Sequence, residues 1–196
     1  MPIQSGRVIG YARAMATLVL SMKRWLRRLG ALLLLALLLV VLALMRPSAD
    51  RLTDAGGARV YVQDGDSLRI ANRALRLEGI DAVELHQLCR ASDGTQWSCG
   101  IEAREALGAL VARGGLACES RTADRFGRAL ARCSVEGSRD IAADLVARGW
   151  AVSGDGRDNG RYRAEQAAAQ RAKRGIWRGS FERPGDWRAA HPRTDS

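Results

Sequence analysis

The sequence predicts an α+β fold: a small five-stranded β-barrel with about three helices packed on it, preceded by one transmembrane helix. Three observations predict it. Leu29 to Met45 is an uninterrupted apolar run. Between Val60 and Val135, five segments alternate apolar and polar residues with the period of a strand. Three later segments repeat apolar residues at helical spacing. The organisation expected is a cytoplasmic basic N-terminus (1–28), a transmembrane signal anchor (29–45), a linker (46–57), a folded domain (58–188) and a tail (189–196).

The apolar run reads LGALLLLALLLVVLALM, seventeen residues without a polar side chain. At a helical rise of about 1.5 Å per residue, that is short for a bilayer span and long for the core of a signal peptide. Lys23, Arg24, Arg27 and Arg28 precede it. Positive charge stays cytoplasmic, so everything after Met45 is expected outside a bacterial inner membrane. Cleavage after Ala49 would put Pro47 at a disfavoured place, which favours an anchor over the runner-up, a domain secreted after cleavage. A buried core helix would need a polar face that this run lacks. Pro47, Ser48 and the glycines up to Gly57 mark the linker.

The strands follow in order. Val60 and Val62, Leu68 and Ile70, then Leu75 and Leu77 face inward on three short strands. Asp64-Gly65-Asp66 turns the first into the second, and Gly79-Ile80-Asp81 ends the third. A helix over Ile101–Val111 buries Ile101, Ala103, Ala106, Leu107, Leu110 and Val111 and stops at Gly114-Gly115. A hairpin pairs Leu116–Thr122 with Arg128–Val135 around Ala123–Gly127. Asp140 caps a second helix over Ile141–Arg148. A Gly/Asp-rich loop, Ser153–Gly160, leads to an Ala-rich helix over Arg161–Arg174 with Gly175 at its end. Trp177, Phe181 and Trp187 pack the last stretch against the body. Three strands, helix, two strands, helix, helix is the order of an OB-type barrel.

Charge and cysteines narrow the setting. Of the net +10, residues 1–50 carry +6, so the domain is only mildly basic at +4. Charge alone therefore makes no case for nucleic-acid binding. The arginine excess, alongside abundant Ala and Leu, fits a compositional bias as well as it fits phosphate recognition. All four cysteines lie beyond the apolar run, and an even number in an exported domain points to two disulfides with three possible connectivities. Local geometry favours Cys118–Cys133 across the hairpin and Cys89–Cys99 across the loop between them. Zinc is disfavoured because no C-x-x-C pair is present.

The candidate chemistry lies in residues 60–84 and at Arg128. Asp66 and Asp81 come at neighbouring strand ends with Glu84 close behind, and gathered acids suggest a cation. Carboxylate oxygens suit Ca²⁺ or Mg²⁺. Each item has a plainer reading. An isolated D-G-D is more often a turn, a lone Glu after a strand is usually solvated, Arg76 in a strand could be a surface position, and Arg128 could be a solvated turn arginine. His86 near Glu84 is read as a bystander.

Together these residues resemble the staphylococcal-nuclease-like (thermonuclease) family over Ala58 to Trp187. Asp64-Gly65-Asp66-Ser67 is similar to its D-G-D-T/S turn. Arg76-Leu77-Glu78-Gly79-Ile80-Asp81-Ala82-Val83-Glu84 is similar to R-L-x-G-I-D-A/T-P-E, and Asp124-Arg125-Phe126-Gly127-Arg128 to D-R/K-Y/F-G-R. Leu145-Val146 with Gly149 and Ala151, and Gly175-Ile176-Trp177, match later motifs. The resemblance implies an OB barrel and Ca²⁺-dependent cleavage of DNA and RNA. It implies metal ligation by Asp66, Asp81 and the backbone carbonyl of Ala82, with Asp64 in support. Glu84 would position or deprotonate water, while Arg76 and Arg128 clamp the phosphate. Val83 departs from the pattern, standing where the family usually has proline. No clear counterparts of the family's nucleotide-stacking tyrosines occur in Ser153–Gly160.

The partners expected are a nucleic-acid substrate and, through the N-terminal helix, a membrane; a monomer is the default. The competing readings are a non-catalytic OB module binding nucleic acid or protein, and an envelope protein using Ca²⁺ for stability. Retention of Asp66, Arg76, Asp81, Glu84 and Arg128 together favours the enzyme.

Overall fold

The computed structural model describes residues 6–45, 49–54, 57–154 and 160–192, with the side chains of its first helix described from Trp25 onward. The chain divides into two units, Met1–Pro47 and Ser48–Ser196. The first is a single helix, α1 (Gly6–Leu44), of 39 residues. Within it Trp25–Leu44 form a 20-residue stretch of mean hydropathy 2.4, long and apolar enough to cross a membrane. The helix thus runs through the basic cluster, well before the expected start at Leu29, because nothing in Gly6–Arg28 breaks a helix.

The second unit is α+β. Its main sheet has six strands in the order β1 (Asp50–Thr53), β8 (Ala117–Ala123), β9 (Ala129–Ser134), β4 (Arg73–Leu77), β3 (Ser67–Ile70) and β2 (Val60–Val62). All pairs are antiparallel except β4 with β9. The edge strands β1 and β2 are consecutive in the chain, joined only through residues 54–59. Leu52 of β1 and Val60 and Val62 of β2 nonetheless pack against the same core, so the sheet curls around it.

Into the curl point Leu68, Ile70, Leu75 and Leu77, covered by Leu107 and Leu110 of α2 (Cys99–Val111) and by Ile141, Leu145 and Val146 of α3 (Ile141–Ala147). The Asp140 carboxylate accepts from the amides of Ala142 and Ala143 at 3.1 and 3.2 Å, capping α3 as its sequence anticipates. Two smaller sheets complete the domain: β5 (Ile80–Ala82) with β10 (Ala151–Ser153), and β11 (Gly179–Ser180) with β6 (Cys89–Ala91) and β7 (Gln96–Trp97). A second core of Val83, Cys89, Cys99, Ala103, Val152 and Ile176 lies beneath the segment after β5. Helix α4 (Arg163–Arg171) and the short α5 (Pro184–Ala190) follow.

Several expectations need correction. The stretch 46–57 holds a strand, β1, whose four residues DRLT are too short and polar to alternate visibly. Asp81 does not end the third strand: a turn at Glu78-Gly79, with Gly79 at φ 83°, starts a separate strand, β5. Among the described residues four α-helices follow α1 where about three are expected; the additional one, α5, lies mostly within 58–188 and runs two residues past that limit. Ile101 is exposed rather than inward. Residues 46–48, 55–56, 155–159 and 193–196, which fall in the expected linker, loop and tail, lie outside the described residues.

The disulfides join Cys89 to Cys99 and Cys118 to Cys133. The second links directly opposed residues of β8 and β9, both buried in the main core. Its 15-residue separation makes loop closure worth about 3 kcal/mol. A Cys118→Ser/Cys133→Ser chain should lose roughly that much, read as a lower urea midpoint by tryptophan fluorescence of the detergent-solubilised protein. An unchanged midpoint would show that the hairpin needs no staple.

Candidate active site

Arg76 is the centre of the site. Leu75 and Leu77 enter the core, so strand alternation turns Arg76 to the opposite face. In register it lies between Ser67 of β3 and Leu130 of β9. Asp66 precedes Ser67, and Arg128 comes two residues before Leu130, so pairing alone assembles three of the five candidates. The fourth and fifth, Asp81 and Glu84, arrive on β5 and just after it.

The Arg76 guanidinium holds both aspartates: Nη1 donates to Asp66 Oδ1 at 2.8 Å and Nη2 to Asp81 Oδ1 at 2.6 Å. Its side chain is only 13% exposed, so this pairing is shielded from water. Asp66 is fixed further by its own turn. The Asp64 carboxylate accepts from the Asp66 amide at 3.0 Å, Ser67 Oγ donates to Asp66 Oδ1 at 2.9 Å, and the Ala82 amide donates to Oδ2 at 2.9 Å. Gly65 permits this approach, since a Cβ there would sit 2.8 Å from Ala82 Cβ and 2.9 Å from Ala103 Cβ.

Glu84 follows Val83, which is buried in the second core. Where a proline would have fixed the backbone, a buried Gln87 does so. Its Oε1 accepts from the Glu84 amide at 3.1 Å and its own amide donates to the Glu84 carbonyl at 2.8 Å. A Cβ on Gly100 would collide with that same carbonyl, so α2 packs directly on the loop, which the Cys89–Cys99 bridge closes.

Arg128 leaves a turn built by Asp124. The Asp124 carboxylate accepts from the amides of Phe126 and Arg128, each at 2.9 Å, and from Arg128 Nε at 2.7 Å. With Nε engaged, Nη1 faces Ser67 Oγ at 3.4 Å. Phe126 is exposed beside it, under the Arg125 and Arg128 guanidiniums.

One participant was not foreseen. Arg188 of α5 forks onto Asp81, Nη1 to Oδ1 at 2.9 Å and Nη2 to Oδ2 at 3.0 Å, and Nη1 also donates to Glu84 Oε1 at 2.9 Å. Neither its reach nor that of Gln87 leaves a sequence signal, because both arise from tertiary packing. Only Pro184, at the first turn of α5, hinted at a helix there.

The electrostatics follow from burial. Desolvation pushes the Asp66 carboxyl from 3.8 up to about 7; Arg76 and the Ala82 amide oppose this, while Asp64 and Asp81 add to it. Burial works against the charge on Arg76, but Asp66 and Asp81 outweigh it and hold the guanidinium more firmly protonated than usual. Its hydrogen bond to Asp81 does the same for Arg188. Partial burial would raise Asp124, yet the bonds from Arg128 and Phe126 hold it below the usual carboxylate range.

Among the described residues no three His, Cys, Asp or Glu side chains gather as a metal cage. What Asp66, Asp81 and the Ala82 carbonyl offer is two carboxylates and one main-chain oxygen, a donor set chemically suited to a hard cation. Burial is the main cause of the raised Asp66, with Asp64 and Asp81 adding to it, and a divalent cation among these oxygens would oppose that shift.

Comparisons with known proteins agree on one family. The model described as staphylococcal nuclease homologue matches residues 74–179, starting after the Asp64–Asp66 turn. The chain is also 35% identical over 135 residues to the succinoglycan biosynthesis protein ExoI of Rhizobium meliloti (strain 1021), covering 66% of this chain and 71% of that protein.

Asp66 makes a pH prediction. A carboxyl that holds its proton more tightly when folded stabilises the fold at low pH, and that contribution is lost as pH rises from about 4 through about 7. Asp66→Asn should flatten this part of the profile in urea midpoints measured from pH 4 to pH 8. Parallel profiles for the two chains would show that Asp66 is ionised throughout.

Proposed function

The chain belongs to the staphylococcal nuclease homologue family, and on that premise we propose that it is a Ca²⁺-dependent nuclease hydrolysing phosphodiester bonds of DNA or RNA. The observation that carries this reading is the convergence of five residues: Arg76 joins Asp66 to Asp81, Ser67 links Arg128 to Asp66, and Arg188 links Glu84 to Asp81. The curled sheet supports an OB-type barrel whose first strand is divided into β1 and β2. Helix α1 supports a membrane anchor, with the domain on the exported side where disulfides form; a secreted domain released by cleavage is the alternative.

In this reading Asp66, Asp81 and the Ala82 carbonyl would hold Ca²⁺, with Asp64 supporting them from the turn. The cation, when bound, supplies positive charge to the phosphate oxygens and a hard Lewis acid. Arg76 and Arg128 grip the phosphate and oppose the charge that builds on its oxygens during attack. Two guanidiniums suit this because each offers paired donors, which lysine does not. Glu84 takes the proton of the attacking water, and the Gln87 bonds keep its backbone fixed while it does so.

A second reading has one observation behind it: the relative's printed name is that of a polysaccharide biosynthesis protein, not a nuclease. A non-catalytic OB module is therefore the alternative.

The test follows cleavage of single-stranded DNA and RNA by the full chain in detergent, disulfides intact, with Ca²⁺ and with chelator. Glu84→Gln should lower the Ca²⁺-dependent rate by about 10²–10⁴-fold. Arg128→Lys should lower it by on the order of 10²-fold. A folded wild-type chain without Ca²⁺-dependent cleavage would exclude the enzyme and leave the binding module.

A further inference from the structure

The C-terminal segment does more than pack against the domain. Helix α5 has seven residues, too few to be stable alone, so it depends on what holds it. Gln87 Nε2 donates to the Glu182 carbonyl at 2.6 Å, Pro184 is buried, and Phe181 packs edge-on against Trp177 with ring centroids 4.9 Å apart. These contacts deliver Arg188 to Asp81 and Glu84. Gln87 thus serves both sides, since the same side chain fixes the Glu84 backbone and straps down the segment that carries Arg188.

The grip of Arg188 concerns the atoms that matter. It takes both oxygens of Asp81, a proposed metal ligand, and one oxygen of Glu84, the proposed base. A guanidinium forked on a carboxylate uses the lone pairs that a cation would need, and its charge repels a cation nearby. Arg76 shares Asp81 Oδ1 with Arg188, whereas Arg188 alone takes Asp81 Oδ2 and Glu84 Oε1. Arg188 is 42% exposed, so on release its guanidinium returns to water, and the cost falls on Asp81 and Glu84, which an incoming cation would compensate.

The geometry points to Arg188 as a further residue of the site: an internal cation that occupies Asp81 and Glu84 and must leave before a divalent cation and substrate can engage them. This rests on the reading of Asp81 as a cation ligand. The released state is a fraction of the population, and apparent cation affinity is reduced by that fraction. Removing the guanidinium should therefore tighten cation binding, a result a purely structural salt bridge does not give. The segment 181–190 becomes a strap whose displacement by a bound strand or cation switches the site on.

The experiment measures Ca²⁺ affinity by calorimetry on the full chain in detergent, independently of cleavage. Arg188→Gln should bind Ca²⁺ on the order of tenfold more tightly than wild type. Arg183→Gln, the same charge change at the start of α5, should leave the affinity within about twofold. Arg188→Lys, which keeps the charge but not the fork, should fall between wild type and Arg188→Gln. An unchanged or weaker affinity in Arg188→Gln overturns the proposal, as does equal tightening by Arg183→Gln, which would make the effect one of general charge. The outcomes also separate this inference from the nuclease reading. Tighter Ca²⁺ binding without cleavage supports the strap and excludes the nuclease. Ca²⁺-dependent cleavage with unaltered affinity keeps the nuclease and excludes the strap. Absence of Ca²⁺ binding in every variant excludes both.

Discussion

The domain depends on one guanidinium holding two buried carboxylates. Asp66 comes from the turn before β3 and Asp81 from β5, and without a positive charge between them their repulsion would push the two segments apart. Arg76 joins them through separate nitrogens, 2.8 and 2.6 Å from each, in a place largely closed to water. The surrounding choices serve that contact. Gly65 lets the acidic turn reach Ala82, the Ala82 amide satisfies the other oxygen of Asp66, and the parallel pairing of β4 with β9 brings Arg128 alongside.

Such a cluster is costly to fold and useful to keep. Buried charge raises Asp66 toward neutrality, and removal of either partner would leave the other uncompensated. A hydrophobic triad of similar volume would serve stability as well or better. What it could not do is bring carboxylate oxygens and guanidiniums together, which is what the proposed phosphodiester chemistry requires.

Much of this was legible in the sequence because it rests on local rules. Alternation at Val60–Leu77 fixed the strands, Asp140 announced its helix, and the cysteines that flank a hairpin lie opposite one another in register. The candidate residues were legible as motifs in order, and they converge because strand pairing carries short-range patterns into space. What escaped had no local pattern. The strand Asp50–Thr53 is defined by its partner β8, the strand Ile80–Ala82 by β10, and the role of Arg188 by a contact with Asp81 across 107 positions of chain. Gln87 gave no signal either. A buried glutamine is identified by the loop it satisfies, and that loop exists only once α2 and the Cys89–Cys99 bridge have closed it.

The central claim is that the Arg76 network is a cation-assisted phosphodiester site and not merely a buried ion pair. The most direct test is the initial rate of single-stranded DNA cleavage against free Ca²⁺, for the wild-type chain and Arg76→Lys. The account predicts a rate that rises from nothing in chelator to saturation for the wild type, and a maximal rate about 10²-fold lower for Arg76→Lys, because lysine cannot present paired donors. Cleavage that persists in chelator, or an Arg76→Lys chain as active as wild type, would contradict it.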